Sequence, residues 1–221
     1  MSAVRPELGP TLPELAEQRL ARPRRALRLA ALAAVLLVAA VLAPLLFRGG
    51  GLDGREKVIH RGPPVFNVLH EPGVVRRMRP HAGELLRFEG GGGRLRLAFT
   101  ARPLELPPFR GDVNGILPIR AQRELIDPRR DVPGFRLTDE GRARVNDAPG
   151  YQVGFRLRDG RRRTTGRDVM VLPAEVGETR GVLLSFRQTL LGGGPLSEAE
   201  RERTAAVRSA FRSFRFGTER K

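Results

Sequence analysis

The chain contains no cysteine and no tryptophan, one tyrosine (Tyr151), three histidines and two lysines among 221 residues. The missing cysteines exclude a disulfide framework, a thiol nucleophile and a thiolate metal site. The domain must therefore be held by packing alone. The scarcity of histidine leaves little for a metal centre. His70-Glu71 and His81 have spacings that match no helical ligand pair, and His60 stands apart. Few aromatics can stack on bases, which disfavours nucleic acid as a partner.

What the chain has in excess is arginine. Of 40 basic residues all but Lys57 and Lys221 are Arg, and the formal net charge is +16. Two explanations stand side by side. A GC-rich genome replaces Lys by Arg and enriches Ala, Gly and Pro without any functional demand. A basic domain also attracts polyanions or anionic surfaces.

One uncharged run is long enough to cross a bilayer. Leu29 to Phe47 holds no charge and is broken only by Pro44; at about 1.5 Å per residue it spans roughly 28 Å. Ala26 and Leu27 extend it past Arg28, whose side chain can snorkel. A transmembrane helix is expected over residues 26–47. Arg19, Arg22, Arg24, Arg25 and Arg28 precede the span, against Arg48, Arg55 and Lys57 just after it. The positive-inside rule then places tail 1–25 in the cytoplasm and the rest outside a cell membrane crossed once. A cleaved signal peptide is the rival, but its apolar region is shorter and Pro44 follows the one candidate cleavage site at Ala43. Residues 48–63, opened by Gly49-Gly50-Gly51, read as a linker. The domain is expected over 64–217, with a short tail 218–221.

Within the domain, period-two alternation marks strands. Tyr151, Val153, Phe155 and Leu157 form the clearest stripe; Leu95, Leu97 and Phe99 form another. Arg167 to Leu172 and Val182 to Arg187 alternate as well. Asp159-Gly160 is a hairpin signal, so residues 151–189 are expected to fold as an antiparallel meander. A helix follows. Ser197 and Glu200 make a capping box, and Val207, Ala210, Phe211 and Phe214 recur at helical spacing. This helix should lie on Val153, Phe155 and neighbouring strands. Six prolines between residues 101 and 135 argue against a long helix there, with Ala121 to Ile126 as a turn or two. The fold class is α+β: an antiparallel β-sheet with covering helices, preceded by one transmembrane helix.

Tyr151-Gln-Val-Gly-Phe-Arg-Leu, Gly166-Arg-Asp-Val-Met-Val-Leu-Pro, Gly181-Val-Leu-Leu-Ser-Phe-Arg, the capped helix and Ala210-Phe-Arg-Ser-Phe-Arg-Phe together resemble the PsbP-like superfamily. The arrangement also resembles single-pass membrane proteins of GC-rich actinobacteria. The resemblance implies an α/β/α sandwich and a non-enzymatic binding or assembly role. It brings no functional residue and no cofactor.

No motif specifies a catalytic chemistry. Gly90 to Gly93 lacks the Lys-Ser/Thr pair of a phosphate loop and reads as a hairpin turn. Ser185 lacks the glycines of a nucleophile elbow. Asp112, Asp139 and Glu140 read as acids in turn-rich contexts, with no sequence partner marked for Asp139 or Glu140. Arg110-Gly111-Asp112 spells an adhesion tripeptide that chance readily produces in such a chain. The densest charge is Arg161-Arg162-Arg163, joined by Arg156, Arg158 and Arg167. Either these six form an anion-binding patch, or they are charges that keep an exposed hairpin from edge pairing. Three functions follow: an anchored extracytoplasmic binding or assembly module, an envelope protein that recognises anionic lipid or polymer by charge, or an enzyme of unrecognised type.

Overall fold

Alternation of apolar and polar residues builds most of the domain. The computed structural model describes residues 54–109, 112–175 and 177–218. The tail and the membrane span expected over 26–47 lie outside the described residues. Among the described residues no helix is long and apolar enough to cross a membrane.

The strands are β1 (Glu56–His60), β2 (Phe66–His70), β3 (Val75–Met78), β4 (Leu86–Gly92), β5 (Leu95–Glu105), β6 (Phe135–Val145), β7 (Ala148–Asp159), β8 (Arg162–Val171), β9 (Arg180–Leu191) and β10 (Arg215–Phe216). Seven form an antiparallel sheet in the order β3-β4-β5-β9-β8-β7-β6, and β1-β2-β10 form a smaller one. The expected meander is β7-β8-β9. Its first turn is Gly160-Arg161, with Gly160 at φ +53°, a conformation open to glycine.

Helices cover both faces of the large sheet. Helix α1 (Val113–Ala121) runs through a π turn (Gln122–Ile126) into α2 (Asp127–Arg130). Leu117, Ala121, Leu125 and Ile126 pack on Val153, Met170 and Leu172. On the other face α3 (Glu198–Arg212) starts at the capping box read from Ser197 and Glu200. Its Val207 and Ala210, with Phe214 just beyond it, join Phe66, Phe88, Phe99 and Phe186 in the larger core.

Four expectations need correction. Residues 48–63 are not all linker, because β1 pairs with β2 and buries Val58. The domain therefore begins before Pro64. Residues 101–135 are more regular than their prolines suggested. Pro103 sits in β5 beyond Ala101, where β4 has ended and only β9 pairs, so no ladder bond to β4 is lost. Pro118 lies within α1. Pro128 takes the first turn of α2, where a missing N–H costs little, and just before it Asp127 N–H bonds Gln122 O in the five-residue step of the π turn. Third, Asp139 and Glu140 lie on strand β6, not in a turn. Fourth, α3 does not touch Val153 or Phe155. Those two side chains point to the α1 face, and α3 packs on β2, β4, β5 and β9 instead.

Candidate functional site

Strand alternation sorts the six arginines of the expected patch. Arg156, Arg158, Arg163 and Arg167 project on the α3 side of the sheet, together with buried Val169. Arg162 projects on the opposite side with Asp168, and Arg161 occupies the turn. Four of the six thus share one face, and Arg161 and Arg162 do not. The edge-guarding explanation does not hold, because β7 and β8 are each paired on both sides and the edge strand here is β6.

Helix α3 covers only part of its face and leaves the β6-β7-β8 end open. The four arginines line that opening with others that were not singled out in the sequence. A hollow of about 510 Å³ lies between α3 and these strands, a second of about 540 Å³ lies on the strands beside Leu196, and a third of about 500 Å³ lies along α3 and Leu196. Thr165 joins the first to the second, Leu196 the second to the third, and Arg208 and Arg212 the third to the first. They form one continuous groove. Strand β6 adds Arg136, and α3 adds Arg201, Arg208 and Arg212; Arg144 borders the first hollow, but its strand register turns it to the opposite face. The total is eight arginines and a single carboxylate, Asp139.

Several of these charges sit badly without a counterion. Arg136 stands directly across from Arg156 on neighbouring strands, and Arg158 across from Arg163. Like charges in directly opposed positions destabilise a sheet. Arg163 donates to the carbonyls of Gly192 and Gly194 at 3.4 and 3.1 Å, which fixes its direction without neutralising it. Arg167 reaches Asp139 at 3.6 Å, a half-exposed pair; the same carboxylate accepts from Gln152 at 3.1 Å. Asp139 is therefore paired, against the expectation. Arg208 lies over the Phe186 ring at 5.5 Å. Phe186, Val169 and half-buried Phe211 give the first hollow an apolar floor beneath its cationic rim.

The opposite face holds a different arrangement, centred on Asp168, which has no exposed surface. Arg187 grips its carboxylate from two nitrogens, at 2.7 and 3.0 Å. Arg129, reaching in from α2, binds Oδ2 at 2.6 Å, and the Ser185 hydroxyl donates to Oδ1 at 2.7 Å. Both guanidinia lie 4.6 Å from the Phe155 ring centre. That ring occupies the space where a side chain on Gly166 would begin. Burial alone would raise the Asp168 pKa. The two guanidinia and the Ser185 hydrogen bond outweigh it and hold the carboxyl below its usual range. The Ser185 hydroxyl is thus spent on a carboxylate that two guanidinia already hold. The cluster fastens α2 to the sheet. Nearby, the hollow that includes Arg162 has four arginines against two acids, Glu89 and Asp159.

The other candidates are dispersed. His60 stacks on Phe66 at 4.9 Å, His70 stacks on Phe88 at 4.6 Å, and His81 stands 3.4 Å from Arg87. Among the described residues no group of three or more His, Asp or Glu is placed to hold a metal ion. Gly90 to Gly92 end β4 and turn into β5, as a hairpin should. Arg110 and Gly111 of the adhesion tripeptide lie outside the described residues.

No protein-family model and no curated protein matches the chain. Among solved structures it is similar to LpqN of Mycobacterium tuberculosis, described as involved in cell envelope biogenesis, at 12% identity and a TM-score of 0.47, over 75% of this chain and 93% of that one. It is also similar to the cyanobacterial PsbP protein CyanoP of Synechocystis sp. PCC 6803, at 12% identity and a TM-score of 0.46, over 76% of this chain and 96% of that one. At that identity and those scores the likenesses assign neither family nor function to the chain.

Proposed function

We propose that the chain is a non-enzymatic binding module, anchored through residues 26–47, whose extracytoplasmic domain takes an anionic ligand of the cell envelope in the groove between α3 and β6-β7-β8. One observation carries this reading. The groove has eight arginines and one carboxylate, whereas residues 48–221 as a whole hold 34 basic and 21 acidic residues. Codon bias exchanges Lys for Arg; it does not clear acids from one surface. The hollow on the opposite face, with its four arginines and two acids, keeps a ratio near that of the domain. Concentrated, uncompensated charge is what recognition of an anion requires.

The absence of native cysteine makes a direct test practical. Arg208→Cys and Arg162→Cys place single thiols in the groove and on the opposite face. Intact protoplasts are treated with a membrane-impermeant maleimide carrying a photoreactive group, then illuminated. Both positions should label from outside, and only the position-208 thiol should yield a crosslinked adduct. Labelling that begins only after lysis would overturn the orientation. Equal adducts from the two positions would remove the groove as the binding surface.

A further inference from the structure

We infer that the occupant of the groove is a linear polyanion, a chain bearing a phosphate or carboxylate on successive repeats, and not a single anionic head group. The inference rests on the groove being the binding surface and adds what fills it. The first argument is length. Arg201, Arg208 and Arg212 share one stripe of α3. At about 1.5 Å per residue they extend over roughly 16 Å. A second row lies on the strands, joined to the first through Leu196 and Thr165. The pair Arg136 and Arg156 and the pair Arg158 and Arg163 follow each other along β7, two residues or roughly 7 Å apart. No single phosphate reaches along such rows.

The second argument is charge. One phosphate or carboxylate engages one or two guanidinia. It would leave the rest of the like-charge crowding in place, including at least one of the two opposed pairs. A chain with repeated charges relieves the opposed pairs together and releases its own condensed counterions. An acidic peptide cannot add as a strand inside the groove, because β7 and β8 already have partners on both sides. The apolar floor at Phe186, Val169 and Phe211 offers a surface for the uncharged body of a repeat.

The test uses the full chain in neutral detergent. Fluorescently labelled polyphosphate of about 15 units and labelled polygalacturonate are titrated by anisotropy over a range of salt. With about six contacts, affinity should fall roughly 300-fold between about 50 and 200 mM salt. The variant Arg156→Ser/Arg158→Ser/Arg208→Ser should bind far more weakly, and its salt slope should drop by about two. The same three positions changed to Lys keep charge and should keep most of the affinity, which separates loss of contacts from loss of fold. The control Arg161→Ser/Arg162→Ser removes charge outside the groove and should lose little. Unlabelled pyrophosphate and a short-chain phosphatidylglycerol are the competitors. Should either displace the polymer at comparable concentration, in a way the groove variant abolishes, the polymer inference is overturned and the groove remains the anion site. Should the groove variant and the control lose equal affinity, the groove itself is refuted and net charge alone explains the binding.

Discussion

Replacing Asp168 by Asn is expected to destabilise the domain by about 3 kcal/mol, the lower end for breaking a buried ion pair. The side chain keeps its shape but loses the charge that balances Arg129 and Arg187. Those guanidinia are about one quarter exposed, so water takes up part of the loss and the low end applies. The pH dependence has a definite sign. The folded-state pKa of Asp168 lies below its ordinary value, so its contribution is complete above the unfolded pKa, about 3.9. It is lost as pH falls through the depressed folded value. Chemical denaturation of wild type and Asp168→Asn should therefore show a constant gap near neutrality that closes only below about pH 4. A gap already absent at pH 7 would mean that the cluster does not fasten α2.

Phe214→Ala should be at least as costly, about 3–5 kcal/mol. The ring has no exposed surface and stands 5.2 Å from Phe66 and 5.1 Å from Phe216. It closes the larger core where α3 meets the small sheet. Phe211→Ala should cost clearly less, because Phe211 is half-buried and meets Phe99 edge-on at 5.8 Å. Paired denaturation curves check the ranking; equal losses would contradict the packing described for the end of α3.

The contrast between these two phenylalanines shows where the sequence is readable. Helical spacing put Val207, Ala210, Phe211 and Phe214 on one stripe, and the capping box gave the start of α3. Spacing does not say which sheet face receives the stripe, and Val153 and Phe155 proved to be on the other side. Strands β7, β8 and β9 were legible because each holds a clean alternation against turn glycines. Strand β6 was not, because it is an edge with Arg136, Leu137, Thr138 and Glu140 exposed along it, so no apolar stripe announces it. The helix from Val113 to Arg130 was hidden by Pro118 and Pro128; Pro118 lies within α1, and Pro128 falls in the first turn of α2, where a missing N–H costs little.

The groove was half legible for a similar reason. Local charge density marked Arg156, Arg158, Arg163 and Arg167, but only pairing register separates them from Arg162. Arg136, Arg208 and Arg212 come from β6 and α3, distant in sequence, and nothing local in the chain ties them to the hairpin. Asp168 could have been noticed. It is an acid in a strand whose same-face neighbour Met170 is apolar and whose other neighbours, Val169 and Val171, are apolar too. A charge in that setting needs a buried partner.

The most direct measurement of the central claim is the side-chain Nε–Hε spectrum of the full chain labelled with ¹⁵N-arginine. It is recorded in neutral detergent with and without polyphosphate. The groove predicts that Arg156, Arg158 and Arg208, each assigned by substitution, shift or broaden together, while Arg87, Arg96 and Arg162 on the opposite face stay in place. Shifts at Arg87, Arg96 and Arg162 equal to or larger than those in the groove would contradict it.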